Sequence, residues 1–350
     1  MLDELTIPGA IVAIAALASA VLIIVLRSLL KRYALARPNA RSSHQAPTPQ
    51  GGGIAVVTAT IAVSLGMLFQ ASGETGTVPL AILFAAVILI AIVGVIADIH
   101  PYYVVPRFLL QALAVAAVIF ALPEELRVMP FLPWWIERVL LVLGGLWFVN
   151  LVNFMDGLDW MTVAEVVPVT ATLAAIGLIG ILPPILPPWA VTVSLSLCGA
   201  MIGFAYFNRP VARLFLGDVG SLPIGLMLGW LLVLVAGNGG RAAAILLPLY
   251  YLADSTITLL RRIANGEKIW QAHRSHFYQR ATDHGFTVIQ IVRRVFLVNL
   301  VLAALALATV LRPSRELDIA ALIAGVMLVA WLLMGFVRGP RIGRRSQNKS

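Results

Sequence analysis

The sequence has little charge and almost no cysteine. Only 12% of its 350 residues are Asp, Glu, Lys or Arg, against roughly 25% in an ordinary soluble domain. The single cysteine, Cys198, excludes an intrachain disulfide and leaves the redox compartment undetermined. There is also no internal repeat and no separate soluble domain. Apolar residues fill the chain instead, at 60% with a mean hydropathy of +0.95, so this is an integral membrane protein.

Eleven apolar runs are long enough to cross a bilayer, given that about 20 helical residues span its hydrocarbon core. They cover residues 8–30, 51–69, 78–97, 107–122, 138–154, 163–182, 189–207, 221–237, 241–260, 294–312 and 319–337. The first run is long and follows an acidic start, which predicts a retained span and not a cleaved signal peptide. The sequence therefore predicts an all-α fold, a polytopic membrane helix bundle of about 11 transmembrane helices, with residues 1–350 as one domain and a basic tail at 338–350.

The loop charges predict the orientation of the bundle. If the N-terminus is outside, 20 of the 25 Lys and Arg residues are cytoplasmic and 5 are outside. This asymmetry follows the positive-inside rule, places the C-terminus in the cytoplasm and accounts for the net charge without a nucleic-acid partner. The same topology puts all five histidines on the cytoplasmic side with Asp98, Asp156, Asp159 and Asp218. We therefore expect an active site that faces the cytoplasm at the membrane surface.

One short polar stretch, residues 215–221, places Asp218 between Gly217 and Gly220 in an otherwise apolar sequence, shortly after Asn208. Glycines let a backbone come close to a bulky anion, and a carboxylate there can hold a divalent cation. Taken alone, the pattern is more typical of a turn between two helices with an exposed aspartate. The other polar residues of the chain decide between the two interpretations.

A second polar cluster ends the fifth apolar run. Asn150, Asn153 and Asp156 are spaced by three, which puts them near one face of a helix. Asp159 follows, and the cluster holds amides and carboxylates without Lys or Arg. Chance amphipathicity rarely produces this composition. We therefore predict functional side chains that converge at the mouth of the bundle.

Three further cytoplasmic features each have two interpretations. The loop at 41–53 carries Arg41 and His44 and ends in three glycines, whose N–H groups suit phosphate, although a flexible basic connector has the same composition. Asp98 ends the third run, where a carboxylate either serves a site or is simply solvated. Asp254 lies inside the ninth run, where an acid is costly in lipid and usually faces a polar interior. A structural hydrogen bond to Ser or Thr is the alternative for Asp254.

The largest cytoplasmic loop carries His273, Arg274, His276 and Arg280. Two histidines three residues apart suit zinc, but no cysteine or nearby acid completes a ligand set. The interleaved arginines favour an anion site for phosphate or pyrophosphate. The alternative is a solvated basic loop that contacts anionic lipid headgroups.

In this order, the clusters resemble those of the polyprenyl-phosphate N-acetylhexosamine-1-phosphate transferases (glycosyltransferase family 4). This superfamily includes phospho-N-acetylmuramoyl-pentapeptide transferase and the enzymes that start O-antigen or teichoic-acid synthesis. The resemblance covers the chain from about Arg41 to Arg280. Its most specific parts are residues 150–159, residues 215–221 and the loop at 273–276, which looks most like the branch that initiates O-antigen-type glycans.

The resemblance implies a reaction and its participants. An N-acetylaminosugar phosphate would pass from a UDP-sugar to undecaprenyl phosphate, or another polyprenyl phosphate, giving polyprenyl-diphosphate-sugar and UMP, the first membrane step of cell-surface glycan synthesis. The cofactor would be Mg²⁺, with Mn²⁺ as a substitute. The protein would lie in the bacterial cytoplasmic (inner) membrane. A homodimer is an open expectation, because small residues in the spans suit helix contacts but define no dimer face.

The resemblance also implies roles for individual residues. Asp218 matches the family's magnesium-binding aspartate, and Phe215 the aromatic residue that stacks on uracil. The residues expected to be catalytic are Asp98, Asp156, Asp159, His273 and His276. The residues expected to bind substrate are Arg41, His44, Asn150, Asn153, Asn208, Phe215, Asp254, Arg274 and Arg280.

Two positions depart from the family pattern. Asp98 matches the second member of an aspartate pair whose first member, often assigned as the base that deprotonates the lipid phosphate, is Ala97 here. Because a phosphate monoester has a second pKa of about 6, the acceptor is largely dianionic near neutral pH without a base. The loss of this aspartate is therefore expected to reduce activity without necessarily abolishing it. At the second position, Trp160 stands where the family usually has glycine.

Two other classes of function stay open. Ala97 is compatible with a catalytically inactive homologue that acts as a scaffold for glycan assembly. A secondary transporter also combines many spans with a few intramembrane acids, but it would place its polar groups near the midplane, in paired halves. Here the polar residues lie toward one face of the membrane and no halves repeat.

Overall fold

The computed structural model of this chain describes residues 2–36, 47–70, 77–99, 104–179, 184–268 and 273–340. Nearly all of them are helical, because apolar segments in a bilayer must satisfy their backbone hydrogen bonds internally. The helices are α1 (Leu2–Tyr33), α2 (Gly52–Gln70), α3 (Thr77–Ile99), α4 (Val104–Phe120), α5 (Trp134–Met155), α6 (Met161–Leu178), α7 (Pro188–Ala205), α8 (Asp218–Gly237), α9 (Arg241–Leu246), α10 (Leu249–Ala264), α11 (Phe277–Asp283), α12 (Val288–Leu311) and α13 (Arg315–Arg338). One antiparallel ladder joins β1 (Leu35–Ala36) to β2 (Thr48–Pro49). The predicted all-α bundle is confirmed.

The predicted spans correspond to helices, with one difference. Among the described residues, nine helices are long and apolar enough to cross a membrane, and α4 is a shorter apolar helix. The predicted span at 241–260 is broken into α9 and α10. The reason is Pro248, which immediately precedes α10 and has no N–H to continue a helix. The chain is thus a multi-pass membrane protein. Which side faces the cytoplasm stays a prediction. The tail beyond residue 340 lies outside the described residues.

Helix α8 lies at the centre of the bundle. It packs against α2, α3, α5 and α9, and its side chains are buried along nearly its whole length. A helix that is apolar on all sides is typical of this position. At the periphery, α1 and α13 expose most of their side chains, for example Leu17 and Met327, each 67% exposed, and in a bilayer these side chains face lipid. The central position of α8 places its first residue in the middle of one end of the bundle.

Close contact between backbones positions the N-terminus of α8. A Cβ added at Gly53 in α2 would lie 2.1 Å from the Cα of Gly220, and one added at Gly94 in α3 would lie 2.5 Å from the backbone N of Val219. Only glycine permits these approaches, because a side chain would displace the neighbouring backbone. Helices α2 and α3 therefore lie directly against the first turn of α8.

Buried charged side chains stabilise the N-terminal end of α5. Glu137 accepts hydrogen bonds from Arg127 Nε at 2.5 Å and from the N–H of Val128 at 2.6 Å. The neighbouring Arg138 is fully buried and donates to the carbonyl oxygen of Pro123 at 2.6 Å. Buried charges are tolerated only where hydrogen bonds satisfy them. These side chains stabilise the loop between α4 and α5 and belong to the scaffold.

Candidate active site at the N-terminus of α8

Three helices bring polar side chains together at one end of the bundle. Asp218 is the first residue of α8, Asp98 lies in the last turn of α3, and Asn153 lies in the last turn of α5. Gly217, which precedes α8, has a φ of +78°, and a Cβ there would lie 2.7 Å from Asp98 Oδ2. Both the backbone conformation and the contact with Asp98 therefore require glycine at this position.

Asp98 caps helix α8 from a different helix. Its Oδ1 accepts the N–H of Asp218 at 3.1 Å, and its Oδ2 accepts the N–H of Val219 at 3.4 Å. The unpaired N–H groups and the dipole at a helix N-terminus stabilise a carboxylate in this position. Asp98 is therefore not simply solvated at the end of α3, and its carboxylate is fixed next to Asp218.

Asp218 is held on both of its carboxylate oxygens. Asn153 Nδ2 donates to Oδ1 at 2.7 Å, and Arg107 Nη1 donates to Oδ2 at 3.0 Å. Asn153 also donates to Ser221 Oγ at 2.8 Å, so α8 orients its amide. The Asp218 side chain is still 28% exposed, which leaves it accessible to a ligand.

Arg107 is a site residue that no motif in the sequence indicates. It lies in the first turn of α4, and in the sequence it is one cytoplasmic cation among many. Its side chain is 30% exposed, and a guanidinium has five N–H donors, more than the bond to Asp218 uses. Arg107 can therefore bind Asp218 and an anionic ligand at the same time. The one sequence signal is its position at the start of the apolar run that follows Asp98.

The two carboxylates fit a magnesium ion whose coordination is completed by substrate. Among the described residues, no group of three or more His, Cys, Asp or Glu side chains is placed to hold a metal ion. Magnesium is usually bound through one or two carboxylates together with waters and substrate phosphate oxygens. Asp218, with Asp98 beside it, supplies this smaller set. A closed zinc site, by contrast, needs four protein ligands.

Asp156 ends α5 close to this pair of carboxylates. Thr162 Oγ1 donates a short hydrogen bond to its Oδ1. Burial, together with the negative charges of Asp218 and Asp98, raises the pKa of Asp156 to about 8. The carboxyl group is therefore largely protonated at neutral pH without a bound cation, and a cation nearby would favour its ionised form.

Asn150 and Asn153 share a helix face but bind different partners. Asn150 Nδ2 donates to Gln111 Oε1 in α4 at 3.0 Å and to the carbonyl oxygen of Leu146 at 2.8 Å. It lies about one helical turn further from the end of α5 than Asn153. In this structure Asn150 joins α5 to α4, whereas Asn153 belongs to the cluster around Asp218.

Asp159 and Asn208 hold the loop that leads into α8. Asp159 Oδ2 accepts the N–H of Ala212 at 2.9 Å. Asn208 Oδ1 accepts the N–H of Trp160 at 2.7 Å, and its Nδ2 donates to the carbonyl oxygen of Leu214 at 2.9 Å. Both Asp159 and Asn208 are buried. Their bonds set the path of the chain between α7 and Asp218.

The backbone conformation of Trp160 fits the glycine that the resemblance implies at this position. Its φ is +63°, in the left-handed region that glycine adopts without strain and that bulky residues rarely adopt. The indole Nε1 donates to the carbonyl oxygen of Ala205 at 2.6 Å, and the backbone N–H is held by Asn208. The substitution therefore keeps the turn and packs an indole against the end of α7.

Asp254 organises the histidine loop from the interior. The side chain has 0% exposure and accepts the N–H groups of Phe277 at 3.0 Å and Tyr278 at 3.2 Å. His276 Nδ1 lies 3.2 Å from Asp254 Oδ1, where an Nδ1–H donates to the carboxylate. These bonds anchor the first turn of α11 and His276 on α10. Asp254 is thus a buried hydrogen-bonding residue, with partners mainly in the loop that carries the histidines.

Tyr278, which no motif indicates, joins this loop to the end of α5. Its hydroxyl donates to the carbonyl oxygen of Phe154 at 2.9 Å, and a Cβ at Gly157 would lie 2.1 Å from the hydroxyl oxygen. The ring of His276 stacks on that of Tyr278 with centroids 5.7 Å apart, and the ring of His273 lies 5.0 Å from that of His276. Both histidines are therefore brought beside the 150–159 motif.

The glycine turn before α2 is tied to the stretch before α8. Gly52 N–H donates to the carbonyl oxygen of Phe215 at 2.9 Å, and Phe215 N–H donates to that of Pro49 at 2.8 Å. The N–H of Gly53 donates to the carbonyl oxygen of Leu216 at 2.9 Å. These amides therefore bind the chain itself in this structure, while the half-buried Phe215 side chain is partly open to a ligand.

The other predicted residues are less closely placed. Arg274 donates to Thr282 Oγ1 at 2.9 Å, so its guanidinium is held along α11. Arg280 is half-buried on α11. Arg41 and His44 lie outside the described residues.

Comparison with known proteins matches the segment that carries Asp98, Asn153 and Asp218. Residues 80–236 match the model of Glycosyl transferase family 4. The chain is 26% identical over 351 residues to a probable undecaprenyl-phosphate N-acetylglucosaminyl 1-phosphate transferase of Bacillus subtilis (strain 168), covering 97% of this chain and 94% of that protein. It is 27% identical over 383 residues to a decaprenyl-phosphate N-acetylglucosaminephosphotransferase of Mycobacterium leprae (strain TN), covering 99% and 92%. It is 32% identical over 179 residues to a phospho-N-acetylmuramoyl-pentapeptide-transferase of Rhodopseudomonas palustris (strain BisA53), covering 46% and 47%.

Proposed function

We propose that this chain, whose residues 80–236 match the model of Glycosyl transferase family 4, transfers an N-acetylaminosugar phosphate from a UDP-sugar to undecaprenyl phosphate and releases UMP. The family and the relatives indicate sugar-phosphate transfer to a polyprenyl phosphate. The UDP-linked donor is the finer part of the proposal. The observation that carries it is Asp218, an accessible carboxylate at a helix N-terminus, flanked by Arg107 and Asp98 at one end of a membrane bundle.

The chemistry that suits this site is phosphoryl transfer between two anions. An oxygen of the lipid phosphate attacks the phosphorus that bears the sugar, and the bond from that phosphorus to the oxygen of UMP breaks, so UMP leaves with the electron pair. Neutralising the charge supplies most of the catalysis in reactions of this kind. Magnesium, or manganese in its place, held by Asp218 and Asp98, would supply that positive charge at the diphosphate.

The side chains around Asp218 have separate tasks in this proposal. Arg107 orients Asp218 and has N–H donors left for a phosphate oxygen. His273, His276 and Arg274, from the loop that Tyr278 joins to the end of α5, provide cationic or hydrogen-bonding groups for the pyrophosphate. Phe215 stacks on uracil. The water-soluble donor enters from the cytoplasm, and the acceptor reaches the site from the inner leaflet of the bacterial cytoplasmic membrane.

The placement of the acids favours an enzyme over a secondary transporter. A transporter holds its substrate near the bilayer midplane, at broken helices in paired halves. Here Asp98, Asp156 and Asp218 lie at or next to the ends of α3, α5 and α8. They are therefore at the membrane surface, where a water-soluble donor and a lipid headgroup can meet.

The proposed function is tested by incubating the purified protein with undecaprenyl phosphate, Mg²⁺ and a panel of UDP-N-acetylamino sugars. We expect UMP release and a lipid product whose mass equals undecaprenyl diphosphate plus one sugar, for at least one donor. Omitting the lipid acceptor should stop UMP release, which separates transfer from hydrolysis. No lipid product with any donor, for protein that is monodisperse and folded, would instead support the inactive scaffold.

Ala97→Asp tests what the missing carboxylate costs. If a base is useful only when the lipid phosphate is monoanionic, the variant should gain turnover several-fold at about pH 5.5 and little at about pH 8, because the second phosphate pKa is about 6. Ala97→Asn is the matched control, since it adds the same bulk without a base. An absence of gain at both pH values would show that the first aspartate is not limiting in this protein.

A further inference from the structure

A cleft opens between the first turns of α12 and the last turns of α13. It has a volume of about 660 Å³ and is lined by Phe286, Gln290, Arg294, Trp331, Gly339 and Pro340. Helix α11, which carries the histidine loop, packs against both α12 and α13. The cleft therefore lies at the same end of the bundle as the candidate active site. None of its lining residues is acidic, so it offers no carboxylate to hold a metal ion.

The cleft contains an arginine that is held in place but not neutralised. The guanidinium of Arg294 lies 4.4 Å from the ring centroid of Phe286, and its Nη1 donates weakly to the carbonyl oxygen of Gln290 at 3.4 Å. Within the described part of the chain, no carboxylate lies within ion-pairing distance of Arg294. A stacked guanidinium with free N–H groups is well suited to bind phosphate. Arg293 is also exposed beside it.

Toward the membrane interior, α12 and α13 expose apolar side chains beyond the cleft. Trp331, on the membrane side of the cleft, is 65% exposed, and tryptophan is enriched at the membrane–water interface. Further along the same two helices, Leu297 and Val301 on α12 and Met327 on α13 are 50%, 48% and 67% exposed, and we call these three side chains the apolar seam. Arg294, Leu297 and Val301 are spaced by three and four, which puts them on one helix face. The surface is thus cationic at the membrane edge and apolar further in.

We propose that this cleft binds an anionic membrane phospholipid such as phosphatidylglycerol, with its phosphate on Arg294 and its acyl chains along the apolar seam. Basic pockets between transmembrane helices are suited to anionic headgroups. The bulk lipid of the bilayer is the occupant, and not the polyprenyl acceptor.

Binding at this cleft has a consequence for the histidine loop. His284 Nδ1 lies 2.7 Å from the carbonyl oxygen of Phe336, where an Nδ1–H donates, so the end of α11 is tied to the end of α13. A lipid that bridges α12 and α13 therefore also stabilises α11. Since His276 begins α11, the lipid supports the position of a site residue without contacting substrate.

The test compares the full-length protein in nanodiscs of phosphatidylcholine with and without phosphatidylglycerol. We expect phosphatidylglycerol to raise the thermal unfolding temperature of the wild type, and Arg294→Gln to lose most of that increase. In native mass spectrometry the variant should retain phosphatidylglycerol about fivefold less well, the loss expected for one basic residue near an anionic surface. Arg315→Gln, at the exposed start of α13 on the opposite end, is the matched control and should keep the increase.

Three results would overturn the proposal. The first is an equal unfolding temperature of the wild type in nanodiscs with and without phosphatidylglycerol. The second is an Arg294→Gln variant that phosphatidylglycerol stabilises as much as the wild type. The third is displacement of phosphatidylglycerol by equimolar undecaprenyl phosphate. If Arg294→Gln fails to fold in phosphatidylcholine, Arg294→Lys takes its place. Lysine keeps the charge but loses the planar fork and the stacking. We therefore expect Arg294→Lys to retain less phosphatidylglycerol than the wild type and Arg315→Gln, but not to lose it completely. The site would be excluded if Arg294→Lys retained phosphatidylglycerol fully and its unfolding temperature were the same with and without that lipid.

Discussion

Asp218→Asn should lower UMP release by about 10³-fold, which corresponds to ~4 kcal/mol at the transition state. The substitution keeps the shape of the side chain and the bond from Asn153, but it removes the negative charge that pairs with Arg107 and that would bind the proposed cation. EDTA should reduce the wild type to the same level and should have little further effect on the variant. UMP release at saturating lipid acceptor, with and without added Mg²⁺, measures both effects.

Glu316→Gln is the matched control for the loss of one carboxylate. Glu316 is exposed in the first turn of α13, at the end of the bundle opposite the candidate site, so its loss should leave turnover unchanged. The thermal unfolding temperature of Asp218→Asn must stay close to that of the wild type for the comparison to hold. Full activity of Asp218→Asn, or of the wild type in EDTA, would show that Asp218 does not hold a catalytic metal ion.

Asp254→Asn should cost about 3 kcal/mol of stability and about 10²-fold in turnover. A carboxylate accepts hydrogen bonds at both oxygens, and here every partner is a donor. Besides the loop donors, the hydroxyls of Tyr250 and Thr258 lie at 3.4 Å. An amide would turn an NH₂ group toward these donors and leave at least one of them unpaired in a buried site. His276 and the first turn of α11 would then lose their anchor.

The experiment on Asp254 distinguishes a positioning residue from one that only stabilises the fold. Thermal unfolding gives the stability, and turnover per folded protein gives the effect on the site, with the Mg²⁺ concentration for half-maximal activity as a third measurement. That concentration should not change, because Asp254 does not contact the Asp218 cluster. Tyr250→Phe removes one 3.4 Å bond and leaves the carboxylate intact, so it should stay close to the wild type. A variant Asp254→Asn that is less stable but fully active when folded would show that the network does not position the histidines.

Most of the membrane-crossing segments could be predicted from the sequence because hydropathy is a local property. Ten of the eleven apolar runs each correspond to one helix, and α8 begins within a few residues of its predicted start. The break between α9 and α10 was not predicted, although its cause, Pro248, is visible in the sequence. The ninth run is apolar on both sides of that proline, and apolar length alone does not show a break.

The members of the site could be predicted better than their partners. The motifs at 150–159 and 215–221 identified Asn153, Asp156 and Asp218 as residues at one end of the bundle. Asn150 shares their spacing, but it binds Gln111 because α4 is the neighbour at that depth. Arg107 pairs with a residue 111 positions away, and Asp98 caps a helix 120 positions away. No local pattern carries this information.

By itself, the sequence determined that this chain spans a membrane many times, and it predicted that the acids and amides of the 150–159 and 215–221 motifs lie with the histidines at helix ends and loops of one face. Burial in a bilayer depends on the side chains of a single segment, so a pattern along the chain is sufficient. Only the tertiary structure decided that Asp98 caps α8, that Asp254 holds the histidine loop and that Arg107 binds Asp218. A hydrogen bond depends on the distance between two groups, and here that distance is set by glycine contacts that bring distant helices together.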